Sequence, residues 1–294
     1  MTILTSLDES LYSPDSEELA FFKAETKITD DDTLRKHIMA VQAEAYKVCP
    51  YPCIRSFAFT KLKISRLPAY PDVLELSRHR KDAILLDVGC CFGNDLRKAV
   101  SDGWPVENVI GSDLRSSFWN CGHDLFKTTP KTYPAAFMAG NLLDPSVITP
   151  RDPFYEMPDT PRPKLLSLTS LTPLQGHVSA IHASSLFHLF DEGDQLQLAR
   201  QLATLLSPTP GSVIFGSHGA YPVKGYRHEY MPATKTTMFC HSPQSWQELW
   251  DGQVFAKGTV RVEVALKEAD GVVLNYSLEA PFYWLIWSVT RLSM

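Results

Sequence analysis

Asp87, Gly89, Gly93 and Asp113 are the residues whose types and spacing first point to chemistry. The stretch Ala83 to Leu96 reads A-I-L-L-D-V-G-C-C-F-G-N-D-L: an apolar run ends in a carboxylate, and glycines at 89 and 93 then bracket a turn. Glycine lets the backbone approach a ligand closely, and a helix starting after such a turn presents unpaired N–H groups. Cys90 lies inside the turn. Asp113 comes twenty residues after Gly93, at the end of the next apolar run, where a carboxylate can accept both hydroxyls of a ribose. Together these residues describe a nucleoside site.

Spacing alone also permits a dinucleotide, whose fingerprint shares an acidic residue at that distance. Two features argue against it. Cys91 stands where a tight pyrophosphate turn wants glycine, and Asp87 would repel a pyrophosphate. An ammonium group beside Asp87 makes electrostatic sense, and S-adenosylmethionine carries an ammonium and a sulfonium but no phosphate.

Four histidines offer themselves as a general base: His182 and His188 around the fourth strand, His218 after the fifth, and His241 before a helix capped by Ser242. Strand C-terminal ends face the ligand crevice of an open α/β sheet, which favours His188 and His218 as catalytic residues. Gly216-Ser217-His218-Gly219 is not G-x-S-x-G, so a hydrolase triad has no support. Tyr51, Phe57, Phe59, Phe187, Tyr226, Met238, Phe239 and Trp284 are candidates for an apolar acceptor pocket, with core packing as the competing reading for each. Arg55 and Arg227 are candidate carboxylate clamps, against solvated charge.

The elements that must position these groups alternate. Ala83–Leu86 reads as a strand, with Asn94 or Asp95 capping a helix through Val100. A strand over Val106–Ser112, a helix over Ser116–Phe126 and a strand over Ala135–Ala139 follow. A proline-rich loop fills 145–177, after which the alternation resumes with a strand at His177–Ala183, a helix at Asp191–Leu206 and a strand at Ser212–Phe215. Pro243–Trp250 is a helix. Thr259–Lys267, Val272–Tyr276 and Phe282–Thr290 are β-rich without an intervening helix, which places an antiparallel pair at one sheet edge. Upstream, 1–36 reads as an acidic, polar run, and Thr33–Val48 as a helix capped by Asp31 or Asp32. The expectation is an α/β sandwich in which residues 1–60 form a helical cap belonging to the same domain as a 61–294 core.

With 294 residues and an apolar share of 44%, the chain can bury a substantial core. A net charge of -5 offers no basic stripe for nucleic acid. The six cysteines show neither a C-x-x-C pair nor structural-zinc spacing, so no metal is expected. No basic-then-apolar leader opens the sequence, and the longest late apolar run is too short for a bilayer, which gives a cytoplasmic reading.

L-L-D-V-G-C-C-F-G-N-D-L-R-K resembles motif I of the class I S-adenosylmethionine-dependent methyltransferases, and V-I-G-S-D-L-R resembles their second motif. D-L-R-S-S-F-W-N-C-G-H-D-L-F, I-H-A-S-S-L-F-H-L-F, G-S-V-I-F-G-S-H-G and M-F-C-H-S-P-Q-S-W are similar to fungal secondary-metabolite methyltransferases, including those that methylate meroterpenoid carboxyl groups. The likeness runs from about residue 50 to the C-terminus. It implies a Rossmann-like seven-stranded sheet with an antiparallel last strand pair and N-terminal helical additions. It also implies that Asp87, Gly89, Cys90 and Gly93 hold the amino-acid end of the cofactor, and Asp113 its ribose. Leu114 and Phe118 would lie near adenosine, Asn141 and Leu142 near adenine, and Ala183 and Ser184 beside the cofactor. Cys91 replaces a glycine of the motif, and Asn141 a common aspartate. The expected reaction is O-methylation of a carboxyl or phenol oxygen on a polyketide or terpenoid. N- or C-methylation and a non-catalytic nucleoside-binding regulator are the alternatives. Expected partners are a small-molecule acceptor and, optionally, a second copy in a homodimer, with no nucleic acid and no membrane.

Overall fold

Ile84–Val88 (β1) is buried at all five positions, the pattern of a strand covered on both faces. The computed structural model, which describes residues 6–227, 237–269 and 281–293, places β1 inside a seven-stranded sheet. Val109–Asp113 (β2) and Ala136–Ala139 (β3) extend it on one side, Val178–His182 (β4) and Val213–Ala220 (β5) on the other, all parallel. Outside this sheet, Gly225–Arg227 (β6) pairs antiparallel with Met238–Cys240 (β7). Val260–Glu268 (β8) forms the edge of the main sheet, and Tyr283–Arg291 (β9) runs antiparallel between it and β5. The order is therefore β3-β2-β1-β4-β5-β9-β8, with the antiparallel pair at the edge as expected.

Among the described residues, the first sixty carry three α-helices: Ser16–Thr26 (α1), Asp31–Val48 (α2) and Pro52–Arg55 (α3). Tyr70–His79 (α4), Asn94–Ser101 (α5) and Ser116–Leu125 (α6) then cover one sheet face, and Glu192–Leu205 (α7) and Pro243–Trp250 (α8) the other. The two-residue period of β1 sorts its side chains between these layers. Ile84, Leu86 and Val88 pack with Leu198, Leu202 and Trp246, whereas Leu85 packs with Leu96, Ala99 and Trp104. A third apolar cluster joins Phe22, Leu34, Ile38 and Phe59 of the N-terminal segment to Phe92, Phe118, Leu125 and Phe126 of the core.

Some local expectations change. Gly93, in the left-handed region at φ 72°, caps α5 in place of Asn94 or Asp95. Those two side chains hold the preceding segment instead: Asn94 Nδ2 donates to Lys61 O, and Asp95 Oδ1 accepts from Lys63 and Ile64 N–H. Asp30 caps α2. The acidic run contains a helix, α1, opened by a capping box between Asp15 and Glu18. Val106–Asn108 is a 3-10 turn before β2. β5 continues to Ala220, so His218 lies within the strand rather than beyond it. Val272–Tyr276 lies outside the described residues.

Candidate active site

Strand order reverses between β1 and β4, because β2 and β3 lie to one side of β1 and β4 and β5 to the other. At such a switch point, the C-terminal strand ends leave a crevice. A cleft of about 1600 Å³ opens there. That exceeds the roughly 300–1,000 Å³ typical of a site for one small molecule and leaves room for two.

Asp87, Gly89 and Cys90 line the cleft from the end of β1, Asp113, Leu114 and Phe118 from β2 and α6, Asn141 and Leu142 from the end of β3, and Ser184 and His188 from beyond β4. Gly89 has φ 68°, and a Cβ there would sit 3.1 Å from Leu186 Cδ1. Cys91 adopts φ 51° at the motif's glycine position, and its N–H donates to Asp113 Oδ2 at 2.9 Å. Arg115 N–H donates to Asp113 Oδ1 at 3.0 Å. Burial raises the Asp113 pKa against the pull of these backbone donors. A carboxylate offers about four acceptor positions, so two remain for vicinal hydroxyls. Asn141 Oδ1 accepts from Leu143 N–H at 3.1 Å and keeps one lone pair for an amino group.

Gly93, Ala183 and His218 do not line the cleft. Glycine is required at 93 by packing, since a Cβ would lie 2.6 Å from Trp119. Ala183 is fully buried behind the strand end. His218, proposed above as catalytic, is fully buried among Phe187, Trp246 and Trp287, with Nδ1 accepting from Trp287 Nε1–H at 2.9 Å. Burial pushes its pKa well down. It has no route to a ligand because β5 carries it into the aromatic core.

His182, ranked behind His188 and His218 on sequence, forms the buried polar centre of the site. It is the register partner of Asp87 across β1 and β4, so the two side chains stand side by side. Its Nδ1 lies 2.8 Å from Asp87 Oδ1, and its Nε2 lies 2.7 Å from Ser184 Oγ. Burial lifts the Asp87 pKa more than the imidazole lowers it. At His182 burial is the largest influence and lowers the pKa, but the charge and the hydrogen bond of Asp87, with the charge of Asp95, together raise it on balance. Both shifts favour retaining a proton in the pair. The placement of D-V-G and I-H-A at equivalent strand ends was the available sequence signal.

His188 is half-buried, and its Nδ1 accepts from Gly219 N–H at 3.1 Å. Burial, aided by the charge of Lys63, pushes its pKa down to about 4. Tyr51, Phe59 and Trp284 line the cleft, whereas Phe57, Phe187, Tyr226, Met238 and Phe239 do not. Neither arginine is a clamp. Arg55 Nε donates to Ser6 O, and Arg227, fully buried, donates to Pro281 O. Lys63, which the sequence did not single out, lines the same cleft, and its charge acts on His188 and Asp87.

Residues 7–60 match the family described as meroterpenoid methyltransferase N-terminal domain. The asnovolin E/chermesin D methyltransferase of Aspergillus novofumigatus is 31% identical over 256 residues, which cover 87% of this chain and 82% of that one. This chain belongs to the S-adenosylmethionine-dependent methyltransferases of fungal secondary metabolism. Another relative of the methyltransferase, the O-methyltransferase phiE of a fungal species, is 30% identical and covers 79% of this chain and 69% of its own. The fold is shared with the Burkholderia thailandensis 1,6-didemethyltoxoflavin-N1-methyltransferase, at TM-score 0.50 and 13% identity, covering 87% of this chain and 90% of that chain.

The methyltransferase's cleft fits its cofactor on its own terms. Asp113 has acceptor capacity to spare at a strand end, Gly89 leaves a backbone approach that a side chain would narrow, and Asp87 lines the cleft beside it. Among the described residues no His, Cys, Asp or Glu cluster could hold a metal ion, and no helix is long and apolar enough to cross a membrane.

Proposed function

We propose that this methyltransferase transfers the methyl group of S-adenosylmethionine to a carboxyl oxygen of an apolar natural product. Bound S-adenosylmethionine supplies an electrophilic methyl on a positively charged sulfur, and a carboxylate can accept it without first losing a proton. Asp113 would hold the ribose, and Asp87 the ammonium end. Positioning then supplies much of the acceleration.

The observation that carries the reading is that both cleft histidines have their basic nitrogens engaged. His182 is bonded at both ring nitrogens, and His188 Nδ1 is taken by a backbone N–H. A phenol would need a base within reach of its oxygen. Asp87, His182 and Ser184 form a hydrogen-bonded chain through which a hydroxyl proton could leave by way of Ser184 Oγ, so hydroxyl methylation is the second reading.

Labelled methyl transfer decides between them, with prenylated benzoic acids and the matching phenols offered as acceptors. Label is expected in the base-labile ester of the acid. Label confined to phenol ether would overturn the carboxyl assignment. Separately, Asp113→Asn is expected to weaken S-adenosylhomocysteine binding by about tenfold or more in calorimetry. Because burial raises the pKa of both Asp113 and Asp87, wild-type affinity should fall on acidification earlier than an ordinary carboxylate would dictate, and the variant should lose the part of that fall that belongs to Asp113.

A further inference from the structure

Lys63 enters the cleft from a segment whose backbone is fixed. Asp95 Oδ1 accepts from Lys63 N–H at 2.8 Å and from Ile64 N–H at 2.9 Å, and Ile64 is fully buried. The Lys63 side chain is half-buried, lines the cleft and forms no ion pair among the described residues. Its charge acts on His188, His182 and Asp87. An ammonium partly withdrawn from water without a paired carboxylate is unfavourable, and a bound anion would relieve the cost.

His188 is the second donor. A backbone N–H can only donate, so the bond from Gly219 N–H leaves Nδ1 without hydrogen and puts the neutral ring's hydrogen on Nε2. Nε2 has no hydrogen-bond partner among the described residues, and His188 lines the cleft. The groups whose charge bears on the ring are Lys63 and, behind it, His218, which burial also keeps neutral.

We infer that Lys63 Nζ and His188 Nε2–H form a carboxylate-binding subsite for the acceptor, with His188 donating a hydrogen bond rather than removing a proton. The inference rests on the carboxyl reading above and gives it a specificity device. An acid presents two oxygens with lone pairs to two donors. A neutral phenol would turn its own O–H towards groups that cannot accept it.

Protein labelled with 15N-histidine tests the donor role without any acceptor. Long-range proton–nitrogen correlations show which ring nitrogen carries hydrogen, and His188 is assigned by its absence from His188→Gln. A neutral ring with hydrogen on Nε2 is expected from about pH 5.5 to 8.5. A ring that titrates near its ordinary value, or a neutral ring with hydrogen on Nδ1, overturns the proposal.

Turnover supplies the second arm. With an acid acceptor, Lys63→Gln and His188→Ala should each raise acceptor KM about tenfold, with kcat far less affected and His188→Gln recovering most of the loss. S-adenosylhomocysteine affinity should stay within about twofold in both variants. A large loss of that affinity in Lys63→Gln would assign the ammonium to the donor's own carboxylate and overturn the pairing. A wild type that methylates phenols alone would sink the carboxyl reading, and with it the acceptor role of Lys63. The His188 spectrum would still stand or fall by itself.

Discussion

At the scale of single residues, Asp87 and His182 form a buried, hydrogen-bonded ionisable pair in the wall of the cleft. Parallel register sets the two side chains beside each other, burial excludes water, and the pair keeps a proton by raising both pKa values. The sign of the pH effect follows. His182, raised above its unfolded value of about 6.5, contributes stability that is fully present below that pH and lost as pH rises through the folded value. Asp87, also raised, carries a burial cost that grows once its carboxyl ionises. Asp87→Asn removes both effects, and both make its deficit largest in mild acid. Scanning calorimetry is expected to show a larger drop in Tm for the variant at about pH 6 than at about pH 9. An equal drop at the two pH values would mean the pair shares no retained proton.

At the scale of elements, α6 is seated on the Gly loop by a residue that helix propensity alone would misjudge. Gly122 lies in the middle of α6, where replacement by alanine ordinarily gains about 0.5–1 kcal/mol. Here the added Cβ would sit 2.2 Å from Phe92 O, a backbone atom of the loop that cannot swing aside. Gly122→Ala is therefore expected to destabilise by about 1–3 kcal/mol in denaturant unfolding, reversing the sign of the propensity effect. The strand–helix alternation itself was legible, because fully buried parallel strands read as short apolar runs and their ends as Asp87, Asp113 and His182. What was hidden depends on partners distant in sequence. Asn94 and Asp95 look like caps until the 61–64 segment takes their side chains, and His218 looks catalytic until β5 proves longer than its apolar run. Lys63 has no motif at all, and only the fold brings it into the cleft that His188 lines.

For the whole molecule, the question is whether the first sixty residues act as a unit of their own. Phe22 stacks on Phe126 of the core with ring centroids 5.3 Å apart and an interplanar angle of 11°. His37 Nε2 lies 2.8 Å from Leu125 O, at the end of α6. Glu18, fully buried, meets Lys61 at 2.9 Å and Arg66 at 3.0 Å, which ties α1 to the segment leading into the Gly loop. The cleft draws on both parts, with Tyr46, Tyr51 and Phe59 lining it from the first sixty residues and Asp113 and Leu114 from the core. The sheet has apolar clusters of its own on both faces, but the first sixty residues share their cluster with Phe92, Phe118, Leu125 and Phe126 and have no core apart from it, so we propose that the cap and the sheet unfold together. Phe22→Ala tests the coupling, since removing a buried phenylalanine costs about 3–5 kcal/mol. Its effect is expected as a lower midpoint of one transition that S-adenosylhomocysteine still raises. A separate early transition, insensitive to that ligand, would instead make the first sixty residues an independent domain.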